Sequence, residues 1–237
     1  MASSLESKVV AFARELSETF TGTLPGTPGF DAEATVHGDR YFVRPTTEDG
    51  STALIPLHVD GSLLATMSAQ IYLEADSSGA YLKNVRSEFA AYSVLDRQPL
   101  FRLDYRTDMH SVPSAHWQFH AERGSLTHLL TLAQAHRPKS VRDPHLLSGL
   151  HFPVGGERFR PCLEDLIHFF IQECGVDSVP GWRKVVDSGR ERWRRRQLRS
   201  AVRDLQAEAA DVLTQEGWQV IPPAGLLDER AESLREW

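Results

Sequence analysis

Along residues 63–73 an apolar side chain falls on every second position, at Leu63, Ala65, Met67, Ala69, Ile71 and Leu73. A period of two puts all six on one face of a β-strand, a segregation no helix achieves. A strand this long needs neighbours, and the flanking sequence supplies them. Asp60-Gly61 is a hairpin signal, because both residues tolerate positive φ. The run from Ala53 to Val59 precedes it, and Pro56 places that strand at a sheet edge, since proline cannot donate to a ladder. Thr35-Val36 and Tyr41 to Val43 flank a His37-Gly38-Asp39 turn. Downstream, Asp76 to Gly79 turns into a strand from Tyr81 to Val94, and Asp96 to Pro99 turns again. Phe101, Leu103 and Tyr105 then alternate with Arg102, Asp104 and Arg106, and Trp117 and Phe119 alternate with His116, Gln118 and His120. The spacing predicts an antiparallel meander of at least five strands over residues 32–121.

On both sides of this block the period is helical. Leu5, Val9, Phe12, Leu16 and Phe20 recur at helix spacing behind a Ser3/Glu6 capping box. Gly22, Pro25, Gly26, Pro28 and Gly29 end that helix in a loop. After Ser125, Leu126, Leu129, Leu130 and Ala133 mark a second helix stopped by Pro138, and Asp143-Pro144 opens a short one running to Gly149. The segment from His151 to Pro161 is irregular. Leu163, Leu166, Ile167, Phe170 and Ile171 define a buried helix with Gly175 at its C-terminal end. A long helix is expected from Pro180 to Gly217, interrupted at Gly189, followed by a short strand at Gln219 to Ile221 and a helical turn or two from Asp228 to Trp237. A helix, then consecutive strands, then consecutive helices define an α+β fold rather than a βαβ sheet. The expected organisation is one domain over 1–237: helix and loop at 1–30, antiparallel sheet at 31–124, helical part at 125–237.

Composition narrows the class. No apolar run approaches the ~20 residues that cross a bilayer, and Met1 to Phe20 lacks the basic-then-apolar pattern of a secretory signal. Cys162 and Cys174 lie about 18 Å apart if they share a helix, too far to bridge. The expectation is a soluble, cytoplasmic protein with no membrane contact. Charge is unevenly spread: residues 183–203 hold nine basic and two acidic side chains, and residues 204–237 hold two basic and eight acidic. At roughly 100° per residue, Arg192, Arg195, Arg196, Arg199 and Arg203 lie within about 60° of one direction. Leu198, Val202, Leu205, Ala209 and Val212 lie to one side of it, as an apolar stripe expected to meet the core. A concentrated guanidinium stripe suits a polyanion, nucleic acid above all, or an acidic protein surface. Two facts weigh against it. Twenty-two arginines against four lysines is what a GC-rich coding bias leaves, and the acidic tail can fold back and neutralise the stripe.

Two further constellations stand out. If the strands at 101–106 and 115–121 pair, Arg102, Asp104 and Arg106 share a surface with His116, Gln118 and His120. Imidazole and carboxylate side by side are parts for acid–base chemistry, with His116 or His120 as the proton-transferring group and Asp104 orienting it. The same residues equally form the solvated face of a half-buried hairpin. A shared metal ion is not expected, because residues four apart on a strand are about 13 Å apart. The other constellation is a Gly-Gly turn before a helix, in which Gly155, Gly156, Arg158 and Arg160 form a candidate anion loop. Glu164 and Asp165 compete for that helix terminus and are natural partners for the two arginines. It lacks the P-loop and dinucleotide patterns, so no cofactor is expected.

The stretch from Leu103-Asp104-Tyr105 through His116-Trp117-Gln118 to His151-Phe152-Pro153 and Leu163-Glu164-Asp165 resembles bacterial domains of unknown function over less than half the chain. That resemblance implies no activity and no functional residue. Three functions follow from the residues themselves: a non-enzymatic binding or adaptor protein contacting a polyanion through the arginine helix; an enzyme acting on a phosphorylated or nucleic-acid substrate through the His/Asp/Arg face; and a protein–protein module. The sequence leaves the oligomeric state open.

Overall fold

The computed structural model describes residues 5–35, 40–76, 79, 81–95, 97–109, 113–120, 131, 134, 143, 145–146, 152–154, 159–225 and 229–230. The helices expected around Leu126 to Ala133 and Pro144 to Gly149 fall largely outside this set. So do the His37-Gly38-Asp39 turn, Ser3, the candidate loop residues Gly155, Gly156 and Arg158, and nearly all of the terminal segment from Asp228.

Helix α1 (Leu5–Thr21) opens the chain, followed by strands β1 (Gly29–Ala34), β2 (Arg40–Thr46), β3 (Ile55–Val59), β4 (Ser62–Ala75), β5 (Leu82–Ser93), β6 (Pro99–Arg106), β7 (Ala115–Phe119) and β8 (Phe152–Pro153). Helices α2 (Leu163–Gln172), α3 (Trp182–Asp204) and α4 (Gln206–Gln215) follow. The strands form one antiparallel sheet in the order β1-β2-β4-β5-β6-β7-β8, with β3 pairing β4 off that path. The fold is the expected α+β arrangement. β4 is long enough to pair with β2 along one stretch and β3 along the next, and Pro56 sits on β3, the edge position foreseen for it.

The Asp60-Gly61 turn has φ of 51° and 74° at its two residues, the doubly left-handed geometry of a tight hairpin. Asp177, distant in sequence, accepts hydrogen bonds from both turn amides at 2.9 and 2.8 Å. It thereby ties the segment after α2 to the sheet.

One face of the sheet is apolar. Across it Ala69, Phe89, Leu103 and Trp117 are successive cross-strand partners. Val9, Ala13, Leu16 and Phe20 of α1 and Leu166, Ile167 and Phe170 of α2 bury against this face in one core. Phe20 stacks on Phe30 at 5.0 Å and Phe170 on Phe101 at 5.7 Å. Covering an amphipathic sheet on one face is how such a layer removes its apolar side from water.

Four local expectations are corrected. β1 begins at Gly29, inside the stretch expected to be loop. β8 pairs with β7 within a segment that reads as irregular. The long helix passes unbroken through Gly189 and breaks instead at Leu205, whose φ of −133° and ψ of 69° leave the helical region. Gln219 to Ile221 is not a strand.

Candidate functional site

Helix α3 packs through one side only. Val186, Gly189 and Asp204 are buried, and Trp193, Gln197 and Ser200 are half-buried. At 100° per residue these share one direction. Leu198 and Val202 point the opposite way and are 64% and 44% exposed. Val212 of α4 is 51% exposed, and α4 buries no residue at all. The apolar stripe expected to meet the core therefore faces water. The cause lies in the first half of α3, where Trp182, Val186, Gly189 and Trp193 set the inward direction against α2, and a continuous helix carries that direction onward.

The arginines divide into two groups. Arg196 donates to both carboxylate oxygens of Glu15 at 2.9 and 2.6 Å, and Arg192 donates to the same carboxylate at 3.5 Å. Glu15 lies on the side of α1 that meets α3. Partial burial works against its charge, but the guanidiniums of Arg196 and Arg192 outweigh this and hold the carboxyl below its usual range. Arg203 stacks over the Tyr81 ring at 4.7 Å. These three arginines lean on the body of the protein. Arg194, Arg195 and Arg199 are exposed on the outward side. Among the described residues Arg195 meets its helical neighbour Glu191 at 2.7 Å, and Arg194 and Arg199 have no acidic partner.

The acidic tail does turn back, but elsewhere. Glu229 accepts from the Ala207 amide at 2.6 Å, and Arg230 approaches Asp204 at 3.9 Å with its own amide on the Asp204 carbonyl at 2.9 Å. A carboxylate at a helix N-terminus is favourably placed, so this contact caps α4. No described tail residue reaches the arginine stripe. Among the described residues, the carboxylates that meet the stripe are Glu15 of α1 and Glu191 of α3 itself.

Since a depressed carboxyl pKa favours the native state only while the group is ionised, the Glu15 clamp stabilises above the ordinary carboxyl range. That contribution is lost as pH falls through the lowered value. Glu15→Gln is expected to cost about 1 kcal/mol at neutral pH, read as a shift in the urea midpoint, and the penalty should vanish once the pH is low enough to protonate the clamped carboxyl. An unchanged midpoint at pH 7 would count against the clamp.

The polar face of the sheet carries the second candidate. Gln70, Glu88, Asp104 and His116 are successive cross-strand partners over β4, β5, β6 and β7, and Arg102 faces Gln118 in the next row. The structure thus sets Asp104 directly opposite His116. Burial, reinforced by the Glu88 charge, pushes the Asp104 carboxyl up to about 6 against the opposing pull of Arg102, Arg86 and Arg106. His116 is 2% exposed, with Nδ1 2.8 Å from the Pro113 carbonyl. Because a carbonyl only accepts, Nδ1 carries the hydrogen. His120 does not join them: its Nδ1 meets Gln98 at 3.1 Å beyond the strand end. Its pKa is lowered by burial and by Arg102. Arg86 is already held by Glu88 at 2.7 Å and Arg106 by Asp108 at 2.9 Å.

Of the candidate anion loop, Arg160 is described. It is 8% exposed and lies 3.7 Å over the Tyr105 ring, with Trp193 on α3 5.6 Å away. Asp165, expected to take an arginine of that loop, receives Arg190 of α3 at 2.7 Å and accepts from the Cys162 amide at 3.0 Å, while Arg158 lies outside the described residues. Arg190 also reaches His168 at 3.0 Å, so His168 belongs to the α2–α3 junction. Among the described residues no group of three His, Cys, Asp or Glu side chains forms a metal-binding cluster, and no helix is long and apolar enough to cross a membrane.

Sequence reasoning missed Glu15, and it assigned Glu164 to the helix terminus and the loop arginines rather than to α3, where it lies against Gly189. Both sit on helices whose apolar residues drew the reading, and neither has a local signal naming its distant partner. Compared with protein-family models, with curated proteins and with solved structures, the chain matches none.

Proposed function

We propose that this chain is a non-enzymatic protein-docking module whose contact surface is the arm formed by α3 and α4, and whose partner presents an acidic, partly apolar protein surface. The observation that carries this reading is the outward face of α3, where Leu198 and Val202 lie in water between Arg194, Arg195 and Arg199. Apolar side chains among arginines are the make-up of a protein interface core and its rim. A phosphate backbone makes no use of Leu198 and Val202, and Arg192 and Arg196 are already engaged by Glu15. The imidazole–carboxylate row supports acid–base chemistry less well, since His120 stands apart and Arg86 and Arg106 already have carboxylate partners.

A photo-crosslinking residue placed at Leu198 in the full chain, expressed in its own cells, tests the reading. Leu95, 93% exposed in the turn between β5 and β6, is the control position. A nuclease-resistant protein adduct from position 198 and none from position 95 is expected. A nuclease-sensitive adduct would assign the arm to nucleic acid, and no adduct at all would remove the docking role.

A further inference from the structure

We infer that the free edge of β1, with the groove between it and α1, binds an extended segment of a partner protein. That segment adds antiparallel to the sheet and carries apolar and basic side chains in alternation. β1 ends the strand order, so only its β2 side is paired. In an antiparallel ladder, alternate residues turn their N–H and C=O to one neighbour and the rest turn theirs away. The Thr35 amide donates to the Arg40 carbonyl in register with the β1–β2 pairs. Gly29, Asp31 and Glu33 therefore bond to β2, while Phe30, Ala32 and Ala34 turn their backbone groups outward. The Phe30 amide shows that direction, donating to Ser17 Oγ of α1 at 2.8 Å. Among the described residues the amides and carbonyls of Ala32 and Ala34 have no partner. An open row of this kind is a template for one more strand.

The groove sets which side chains that strand carries. Val10, Ala13 and Ser17 of α1 line one wall of a space of 330 Å³, and Phe30 and Ala32 line the other. Glu15, which meets α3, projects from the opposite flank of α1. The groove is thus separate from the α3–α4 arm, and the inference does not rest on the docking role given to that arm. Cross-strand partners share a face, so incoming residues opposite Ala32 and Ala34 project over Val10 and Ala13. Val10 is 57% exposed, and apolar side chains there gain by covering it. The residues between them stand beside Asp31 and Glu33 on the other face, both exposed. Asp31 accepts from Thr46 at 2.7 Å and meets no basic side chain among the described residues, and Glu33 shares Arg44. Glu6, one turn before Val10 on the same flank, is also exposed, whereas Arg14 is balanced by Glu18 at 3.1 Å. This acidic rim calls for lysine or arginine at alternate positions of the segment. The same charges disfavour a second copy as the occupant. Two β1 strands paired antiparallel about Asp31, Ala32 or Glu33 would in each case oppose one acidic side chain to another.

Fluorescence anisotropy of a labelled heptapeptide alternating lysine and valine, titrated with the full chain, tests this. A dissociation constant on the order of 10–100 µM is expected. The same peptide with glutamate in place of lysine should bind at least about tenfold more weakly. In the antiparallel arrangement the valine amides face Ala32 and Ala34. N-methylating them should therefore abolish binding, while N-methylating the lysine amides should change it by less than about threefold. On the protein side, V10D should weaken binding about tenfold although it adds a negative charge, which separates the groove from general attraction of a cationic peptide. Val10 is exposed, so circular dichroism of V10D should match the wild type, and the methylated peptides probe the edge in the unaltered chain. No binding of the lysine–valine peptide, equal loss from both sets of methyl groups, or tighter binding by V10D each overturns the proposal.

Discussion

Gly189→Ala is expected to lower stability by about 1–3 kcal/mol, although in an open helix the same change would raise it by about 1 kcal/mol. At Gly189, α3 lies against Glu164 in the first turn of α2. A Cβ there would lie 2.2 Å from Glu164 Oε1, 2.8 Å from Cδ and 2.9 Å from Cγ. The encroachment reaches down the side chain, so rotating the carboxylate tip does not relieve it. Glu164 is 7% exposed, and burial already pushes its pKa up. The new methyl therefore has either to displace a buried carboxyl or to separate two helices that share the core. Urea denaturation of Gly189→Ala, Glu164→Ala and the double variant reads the effect. The double variant should be more stable than Gly189→Ala alone, with a coupling of at least about 1 kcal/mol between the two sites. A single variant as stable as the wild type would show that the helices have room.

This close approach also marks where the sequence stops being informative. An isolated glycine in a helical pattern reads as a weak point, hence the expected interruption. Its reason lies in Glu164, twenty-five residues away, which no local pattern names. The alternation from Leu63 to Leu73 was legible because a strand buried on one face imposes its period on its own side chains. The facing of Asp104 and His116 was legible for the same reason, as two alternating runs joined by a short connection leave few registers. β1 was hidden by Pro25, Gly26 and Pro28 immediately before it and by Gly29 at its start, residues that signal a loop even when a strand begins there. The arginine helix was half legible. Periodicity separates its stripes, but which stripe turns inward depends on the side of α3 that Trp182, Val186 and Trp193 offer to α2. The apolar stripe in the second half thus went to solvent, and three arginines went to Glu15 and Tyr81.

Asp104→Asn is expected to stabilise the fold by roughly 2–3 kcal/mol above pH 7 and to leave it nearly unchanged at pH 4. The carboxyl ordinarily titrates at 3.8 and is held here at about 6. Below 3.8 both the native and the unfolded chain carry the proton, and this group contributes nothing. Between 3.8 and 6 the unfolded state has released it and the native state has not, so stability falls as pH rises. Above 6 both are ionised, and the full cost of a charge among buried neighbours and beside Glu88 remains. This is the opposite sign to the Glu15 clamp, which strengthens over the acidic range as pH rises. The two can be separated by measuring stability against pH in each variant. Asparagine keeps the shape and a hydrogen-bonding amide while removing the charge, so the downward slope between pH 4 and 6 should flatten in Asp104→Asn and persist in Glu15→Gln. If instead Asp104→Asn destabilised the protein at pH 8, the ionised carboxylate would be making a contact worth more than its burial costs. Asp104 and His116 would then have to be regarded as a stabilising hydrogen-bonded pair rather than as a carboxylate destabilised by its burial opposite a buried imidazole.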